Sequence, residues 1–329
     1  MYKEGFQGYD VIGDVHGCAI TLIRLLERLG YTKRAGVYRH RRRQAVFVGD
    51  VVDRGPRIRE ALHLVHDMVN AGAAQMVMGN HEYNALGYTI RAPAGSGRTY
   101  LREHNAHHGR LIAETLEQFA NYPDDWRCFL DWFLTLPLFL ELSVGREEAK
   151  WLSPCRVVHA CWDTKLIETY KQRYERNTVD LNFIIESVVR NSFPGRVMDR
   201  LTRGTDMALP EGLILRSRDG YVRRFFRTKF WASNPRIYRD VVFQPDPLPD
   251  TIADRPITPE DRGKLLTYGV DLPPVFVGHY WLQGRPRPIR HNLACLDYSA
   301  VKFGRLVAYR FDGEPHLNAD KFVWVYVDP

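Results

Sequence analysis

The sequence predicts an α/β (α+β) fold in which parallel strands alternate with helices. Three apolar runs in the first 80 residues are separated by segments with helical periodicity, as in β-α-β-α-β units. Each run ends in a glycine followed by Asp or Asn, so we expect each strand to stop at a tight turn. In open α/β sheets, ligands bind beyond the carboxyl ends of the strands. These turns are therefore the expected functional site.

The N-terminal elements are the best defined. They are predicted, in chain order, as a strand at about 8–13, a helix over 18–29, a strand over 45–48, a helix after Pro56 and a strand at about 74–79. Gly30 and Gly72 follow the two helices, where glycine commonly ends a helix. The segment 31–43 is expected to form a short hairpin, with the run Arg41-Arg42-Arg43 solvated at its tip.

The middle of the chain mixes helices with loops. The segment 91–109, which is rich in Gly, Arg and His, is expected to be a mobile loop. Further elements are predicted as helices near 109–121 and 124–135 and as strands over 138–142 and 150–159. The three last strands, at 293–297, 306–311 and 322–327, are expected to be antiparallel and to form a second sheet packed on the first.

We expect a single domain, 1–329, that carries an insertion at about 163–262. The insertion is predicted to contain helices near 163–175 and 178–191, strands around 213–216 and 222–231, and a proline-rich connector. Substrate selection needs a wall that the core motifs do not provide, so we expect this region to cap the site. A peripheral decoration is the alternative.

Composition restricts the class of protein. The chain has 329 residues and a net charge of +7, and a basic surface favours polyanionic partners or simply solubility. No stretch approaches the roughly 20 apolar residues that span a bilayer, and the polar residues 1–8 predict no signal peptide. The five cysteines form no C-x-x-C pair. These features predict a cytoplasmic protein with no membrane partner.

The motifs at the strand ends carry the chemistry. They are Gly13-Asp14-Val15-His16-Gly17, Gly49-Asp50-Val51-Val52-Asp53-Arg54-Gly55 and Gly79-Asn80-His81-Glu82, followed much later by His159 and by Gly278-His279. Any single motif could be an ordinary turn. Together, five strand ends supply only oxygen and imidazole ligands, and this set predicts a dinuclear metal site.

The three N-terminal motifs, in this order, resemble those of the phosphoprotein-phosphatase-type (calcineurin-like) metallophosphoesterases. That family includes protein Ser/Thr phosphatases and bacterial diadenosine tetraphosphatases, and the bacterial branch is the nearer one. The resemblance is tight over residues 9–90 and looser at His159, at Gly278-His279 and around Asp297. It implies a calcineurin-like β-sandwich of two mixed sheets flanked by helices.

The resemblance also implies a role for each motif residue. It places Asp14 and His16 on one metal ion, Asp50 between both ions through its two oxygens, and Asn80, His159 and His279 on the second ion. An oxygen and imidazole set without thiolate suits two divalent ions, with Mn²⁺ expected and Fe, Co²⁺ or Zn²⁺ as alternatives.

The catalytic residues implied by the resemblance are His81, Asp53 and Arg54. His81 would protonate the leaving group, and Asp53 would orient the His81 imidazole. Arg54 would hold two phosphoryl oxygens in its planar fork. A further arginine from the C-terminal half commonly contacts the phosphate in this family; the candidates are Arg216, Arg218 and the arginines over 285–290.

The predicted function is the hydrolysis of phosphate ester or anhydride bonds by attack of a hydroxide that bridges two metal ions. The substrate that fits best is a dinucleoside polyphosphate or a related nucleotide. A protein Ser/Thr phosphatase and a nucleic-acid end phosphatase are alternatives with the same chemistry. An alternative of another class is a non-catalytic phosphate-binding module.

Overall fold

The computed structural model describes residues 6–146, 149–189, 191–210, 213–216, 222–243, 248–302 and 304–327. Its strands are β1 (Gly8–Ile12), β2 (Thr32–Arg34), β3 (Val37–Arg39), β4 (Arg43–Phe47), β5 (Ala74–Met76), β6 (Phe139–Arg146), β7 (Ala149–Val158), β8 (Thr205–Ala208), β9 (Leu215–Arg216), β10 (Val222–Arg223), β11 (Phe225–Thr228), β12 (Val275–Val277), β13 (Leu293–Cys295), β14 (Asp297–Tyr298), β15 (Arg305–Phe311) and β16 (Phe322–Tyr326).

The helices follow the same chain order. They are α1 (Ala19–Arg28), α2 (Ile58–Asn70), α3 (Asn80–Thr89), α4 (Ala106–Phe119), α5 (Pro123–Phe133), α6 (Thr164–Tyr174), α7 (Leu181–Ser187), α8 (Phe193–Arg203), α9 (Tyr238–Val241), α10 (Asp250–Ala253) and α11 (Pro259–Lys264), with 3₁₀ turns at Ala300–Lys302 and Ala319–Lys321. No helix among the described residues combines the length and apolarity needed to cross a membrane.

The first sheet contains the predicted β-α-β-α-β core. Strands β1, β4 and β5 lie side by side and parallel, so their carboxyl ends meet at one edge. Strand β15 pairs antiparallel with β1, and both β14 and β16 pair with β15. The sheet is therefore mixed, as the resemblance implied.

The second sheet corrects the prediction for the C-terminal strands. Its order is β13-β12-β7-β6, with β7, β12 and β13 parallel and β6 antiparallel to β7. Only β13 of the three predicted C-terminal runs belongs here, because β15 and β16 extend the first sheet instead. The prediction was wrong because strand pairing depends on long-range packing, which local alternation does not specify.

Apolar residues on alternate positions bury both faces of the first sheet. Val11 and Val46 point into the space between the sheets, where they join Val157 and Phe276 of the second sheet. Their chain neighbours point the other way, toward the apolar faces of α1 and α2. Two packed sheets with helices outside form the predicted sandwich, which holds the strand ends in fixed positions.

The region after β7 contains the helices α6 to α8 and then small hairpins and short helices. Helix α8 follows where the sequence predicted only one helix over 178–191. Its residues Val197, Met198 and Leu201 share the main core, whereas β11 and α9 contribute to a separate cluster around Phe226 and Tyr238. The treatment of this region as an insertion in a single domain stays a prediction.

The arginine run before β4 is not uniformly solvated. Arg41 and Arg42 are exposed, as expected, but Arg43 lies inside β4 with a side chain that is only 10% exposed. Its Nε donates to the fully buried carboxylate of Asp10 at 2.9 Å, and Arg310 donates to the same oxygen at 3.1 Å. The prediction failed for Arg43 because its partners lie far away in sequence.

Replacing Arg43 should destabilise the protein. Arg43→Met leaves the buried Asp10 with a single cationic partner, so we expect the free energy of unfolding to fall by about 2–4 kcal/mol. Urea denaturation followed by circular dichroism measures this loss. Arg42→Met removes the same charge from an exposed neighbour and should change stability by less than about 0.5 kcal/mol. Equal effects of the two substitutions would contradict this account.

Candidate active site

Five strand ends from the two sheets meet in one buried cluster. The cluster follows β1, β4 and β5 of the first sheet and β7 and β12 of the second, and all predicted ligands in it are at most 9% exposed. These ligands are Asp14, His16, Asp50, Asn80, His159 and His279. The structure therefore brings every residue predicted as a ligand into the same place.

The Glu82 carboxylate organises the ends of β4 and β5. One oxygen accepts hydrogen bonds from the backbone N–H groups of Asp50 and Gly79, at 2.8 and 2.9 Å. The other accepts from Val51 and Val52, at 2.8 and 3.3 Å. Glu82 is fully buried. One side chain thus satisfies four backbone donors, which gives Glu82 a structural role at the site.

Asp50 lies at the centre of the cluster. Its Oδ1 accepts the backbone N–H of His81 at 2.9 Å. Its Oδ2 faces three imidazole nitrogens, the Nε2 atoms of His159, His16 and His81, at 3.4, 3.6 and 3.9 Å. Oδ2 is therefore the oxygen of Asp50 that faces the imidazoles, and the bridging of two ions by both oxygens of Asp50 stays a prediction.

Backbone carbonyls orient two of the ligand imidazoles. Nδ1 of His16 lies 3.0 Å from the carbonyl of Val52, and Nδ1 of His159 lies 2.7 Å from the carbonyl of Val48. A carbonyl only accepts, so each Nδ1 carries the proton. This arrangement directs Nε2 of each ring into the cluster, as is common for metal-ligating histidines.

Asn80 and His279 close the cluster on the side of the second sheet. The Asn80 side-chain oxygen lies 2.7 Å from Nδ1 of His279 and 3.0 Å from Nε2 of His159. The backbone N–H of His279 donates to Oδ2 of Asp14 at 3.0 Å, which links the ends of β12 and β1. Oδ1 of Asp14 is buried without a hydrogen-bond partner among the described residues.

Two glycines permit this close approach. A Cβ at Gly79 would lie 2.2 Å from Oδ1 of Asp50, and one at Gly278 would lie 2.0 Å from Oδ1 of Asp14. Neither position can accommodate a side chain without displacing a predicted ligand. The glycines in the motifs are therefore required by steric crowding at the cluster, and not only by the turns.

The site also concentrates backbone strain. Positive φ angles at non-glycine residues occur at His16, Asp50, Asp53, Arg54 and His279. Such conformations are uncommon for L-residues and persist only where surrounding contacts impose them. Both ligand and catalytic positions are thus held in costly conformations by the hydrogen bonds around them.

His81, Asp53 and Arg54 form a chain beside Asp50. Nδ1 of His81 donates to Oδ2 of Asp53 at 2.6 Å, and Thr115 donates to the other Asp53 oxygen. Arg54 donates to Nε2 of His81 at 2.8 Å and to Nε2 of His16 at 3.1 Å. An ion and Arg54 cannot share the same lone pair of His16, so an ion there requires the guanidinium to turn away.

Burial and mutual charge set the protonation of the cluster. Burial keeps the pKa of His16 and of His279 well below its usual range, so both rings are neutral. Burial and the nearby Asp297 raise the pKa of Asp14 well above its ordinary value. Burial opposes the charge on Asp50, but His159 and His81 hold its pKa well below the usual range.

The donor set fits two adjoining cations. Ligand atoms of Asp50, His159 and His279 lie within 4.8 Å of one another, and so do those of His16, Asp50 and His81. The two groups share Asp50, as a bridging ligand requires. The second group contains His81 in place of Asp14, but Nδ1 of His81 already donates a hydrogen bond to Asp53. The unpartnered oxygen of Asp14 makes it the better ligand.

Two charged residues near the cluster were not among the predicted site residues. Arg227 of β11 lies close enough to lower the pKa of His279. Asp297 follows β13, and its pKa is raised to about 6, mainly by burial. The motifs gave no signal for Arg227, because it lies outside them, in the region after β7. Asp297 was noted only as a loosely similar position.

The arginines proposed for phosphate contact are placed differently. Arg290 donates to the carbonyl of Tyr268 at 2.7 Å, and the backbone of Arg287 donates to the Tyr298 hydroxyl at 3.3 Å. Arg218 and the side chain of Arg216 lie outside the described residues. Arg227, whose charge reaches His279, is a further candidate from this half of the chain.

Residues 9–175 match the family model of the calcineurin-like phosphoesterases, and the chain belongs to this family. The family is one of phosphoesterases, which confirms the predicted class of enzyme, a hydrolase, and the predicted fold. Members use divalent metal ions, in agreement with the ligand cluster described above.

The chain is similar to bacterial proteins named Bis(5'-nucleosyl)-tetraphosphatase PrpE [asymmetrical]. It is 48% identical over 73 residues to the protein of Oceanobacillus iheyensis, which is 22% of this chain and 29% of that protein. It is 29% identical over 143 residues to the protein of a Geobacillus strain, which is 42% of this chain and 54% of that protein. The chain thus spans about half or less of the length of these relatives.

Solved structures with a related shape include a putative diadenosine tetraphosphatase and a cold-active protein-tyrosine phosphatase of a Shewanella species. The first has 16% identity and a TM-score of 0.45 and covers 97% of this chain and 93% of its own. The second has 17% identity and a TM-score of 0.46, and the match covers 98% of this chain and 81% of the phosphatase.

Glu82→Gln should disturb both the fold and the site. An amide keeps one acceptor oxygen and turns an NH₂ group toward two backbone donors, which costs about 2 kcal/mol or more. Urea denaturation measures this loss, and calorimetric titration with Mn²⁺ should show weaker binding. The matched substitution Glu60→Gln, at an exposed position on α2, should leave both unchanged. Wild-type stability and metal affinity in Glu82→Gln would refute the proposed clamp.

Proposed function

We propose that the chain is a dinuclear-metal-dependent phosphohydrolase that cleaves phosphate ester or anhydride bonds. The observation that carries the proposal is the pair of ligand groups that share Oδ2 of Asp50. Two divalent ions, when bound, supply Lewis acidity to the phosphoryl group and activate water for attack. We expect Mn²⁺, with Fe, Co²⁺ or Zn²⁺ as alternatives, and Asp14, His16, Asp50, Asn80, His159 and His279 as ligands.

Arg54 and His81 act on the substrate in this proposal. Among the described residues, Arg54 contacts two imidazoles and the indole ring of Trp281 but forms no ion pair with a carboxylate, so its charge is available to the phosphoryl oxygens. His81 donates a proton to the leaving oxygen from Nε2 once Arg54 has turned from that nitrogen toward the phosphoryl group, since Asp53 holds Nδ1. The Asp53 carboxylate orients the ring and stabilises its protonated form.

The region after β7 forms one wall of the proposed pocket. Tyr280, next to His279, packs at right angles to Trp231 with ring centroids 4.8 Å apart. Arg203 of α8 donates to Asn84 of α3, the helix that begins at Asn80, at 2.8 Å. Arg227 of the same region lies close enough to lower the pKa of His279. These contacts support a cap that supplies Arg227 to a bound phosphate.

We propose a dinucleoside polyphosphate or a related nucleotide as the substrate. The PrpE relatives carry that activity in their name, and the family model that matches the chain covers residues 9–175, which include the N-terminal metal motifs. The net charge of +7 suits such a polyanion. Phosphoproteins, nucleic-acid ends and binding without catalysis remain the competing functions, and a cytoplasmic location stays a prediction.

Substrate class is tested by a panel assay with the Mn²⁺-loaded protein. We expect the highest kcat/KM for dinucleoside tetraphosphates, and lower values for phosphopeptides, mononucleotides and 5'-phosphorylated oligonucleotides. A preference for phosphopeptides would instead assign a protein phosphatase. Absence of hydrolysis of every phosphoester, p-nitrophenyl phosphate included, with a phosphate ligand still bound, would assign a binding module and overturn the proposal.

Asp50→Asn should abolish metal binding and activity together. The substitution removes the charge at the atom that both ligand groups share, while the shape of the side chain is kept. Metal content by mass spectrometry and hydrolysis of p-nitrophenyl phosphate measure the two effects. Asp67→Asn, on the exposed side of α2, is the matched control. Retention of both ions by Asp50→Asn would contradict the central place given to this carboxylate.

His81→Ala should separate metal binding from turnover. We expect the metal content to stay at the wild-type level and kcat to fall by about 10²–10⁴-fold for substrates with poor leaving groups. The loss should be smallest for p-nitrophenyl phosphate, whose leaving group needs no proton. If His81→Ala loses metal instead, His81 is a ligand, as its closeness to His16 and Asp50 also permits.

A further inference from the structure

A tryptophan at the edge of the site holds two cations. Trp281 lies two residues beyond His279 and is partly buried. The guanidinium carbon of Arg54 lies 5.0 Å from the centre of its indole ring, and Nζ of Lys302 lies 3.8 Å from the same centre. Both distances fall in the range of cation–π attraction. The ring, which follows β12 of the second sheet, thus contacts two cations from loops of the first sheet.

The aromatic contact fixes these cations without neutralising them. Among the described residues, neither Arg54 nor Lys302 forms an ion pair with a carboxylate, although Asp297 is near Lys302. A carboxylate partner would cancel the charge, whereas an indole face leaves it available to an anion. Lys302 is exposed on a 3₁₀ turn, so its ammonium group can reach a bound ligand.

Two such cations serve different parts of one substrate. Arg54 also contacts His81 and His16, which places it at the phosphoryl group that is attacked. Lys302 contacts none of the predicted catalytic or metal-binding residues in hydrogen bonds or ion pairs within the described part of the chain. The two cations nevertheless lie less than about 9 Å apart, because both face one ring. Linked phosphates can span a separation of this size.

We propose that Lys302, positioned by Trp281, binds the phosphate next to the one that is attacked and so selects phosphoanhydrides over monoesters. The inference rests on the proposed function, since it assigns a second subsite to the same pocket. It makes Lys302 a specificity-determining residue, and Trp281 a positioning residue that acts through both cations. The ligand class is a nucleoside diphosphate or longer chain.

The test compares ligands that differ by one phosphate. Competitive inhibition by ADP and by AMP is measured on the Mn²⁺-loaded protein, with p-nitrophenyl phosphate as the reporter. In Lys302→Met the inhibition constant for ADP should rise about tenfold, the loss of one charge-assisted hydrogen bond. The constant for AMP and kcat/KM for p-nitrophenyl phosphate should stay within about twofold of wild type.

Rescue and control variants separate binding from structure. Lys302→Arg should restore most of the ADP affinity, because it returns the charge at the same position. With diadenosine tetraphosphate, Lys302→Met should raise KM and leave kcat nearly unchanged. Lys33→Met removes an equal charge from the exposed hairpin strand β2 and should leave the inhibition constants for ADP and AMP and the kinetic constants unchanged.

Two results would overturn the inference. Unchanged ADP inhibition in Lys302→Met would show that Lys302 does not bind the second phosphate. If Lys302→Met weakened inhibition by ADP and by AMP and lowered kcat/KM for p-nitrophenyl phosphate by the same factor, the substitution would affect the site in general. Failure of the proposed function is recognised separately, because the wild-type protein would then hydrolyse neither p-nitrophenyl phosphate nor diadenosine tetraphosphate.

Discussion

One buried carboxylate holds the functional centre together. Glu82, in the first turn of α3, accepts four backbone N–H groups from the turns that follow β4 and β5. Asp50 lies in one of these turns and Asn80 directly follows the other. The positive φ of Asp50 costs conformational energy that these hydrogen bonds offset. Glu82 holds the backbone of Asp50, and the backbone N–H of His81 holds its side chain through Oδ1, so that Oδ2 lies among three imidazoles.

The second constraint is electrostatic. Asp14, Asp50 and Asp297 are each at most 3% exposed and lie within one cluster. Buried carboxylates need cations or hydrogen-bond donors, because desolvation disfavours their charged form. The protein supplies backbone N–H groups and Arg54, and Oδ1 of Asp14 and Oδ2 of Asp297 still have no partner among the described residues. A pair of divalent ions would offset this excess of negative potential.

Local sequence predicted the parts of the site that depend on short segments. The three motifs follow β1, β4 and β5 because a β-branched run ending in glycine and Asp or Asn specifies both the strand and the turn. His159 and His279 were predicted on the same grounds, and the structure brings them to the same cluster. Glycines that appeared to serve turns also prevent clashes with Asp14 and Asp50.

The parts that sequence did not predict depend on long-range contacts. Strands β15 and β16 joined the first sheet because β15 pairs with β1, about 300 residues away, and alternation does not encode a partner. Arg43 was misplaced for the same reason, since Asp10 and Arg310 lie in other strands. Arg227 and Lys302 are near the site only through tertiary packing. The motifs therefore predicted the residues proposed for metal binding and catalysis, but they did not predict the residues proposed to contact the rest of the substrate.

The most direct test is a crystal structure of the protein grown with Mn²⁺ and measured at the manganese absorption edge. We predict two anomalous peaks. One lies among Asp14, His16 and Asp50, the other among Asp50, Asn80, His159 and His279, and Oδ2 of Asp50 contacts both ions. A single peak, or two peaks that do not share Asp50, would contradict the claim that these strand ends form a dinuclear centre.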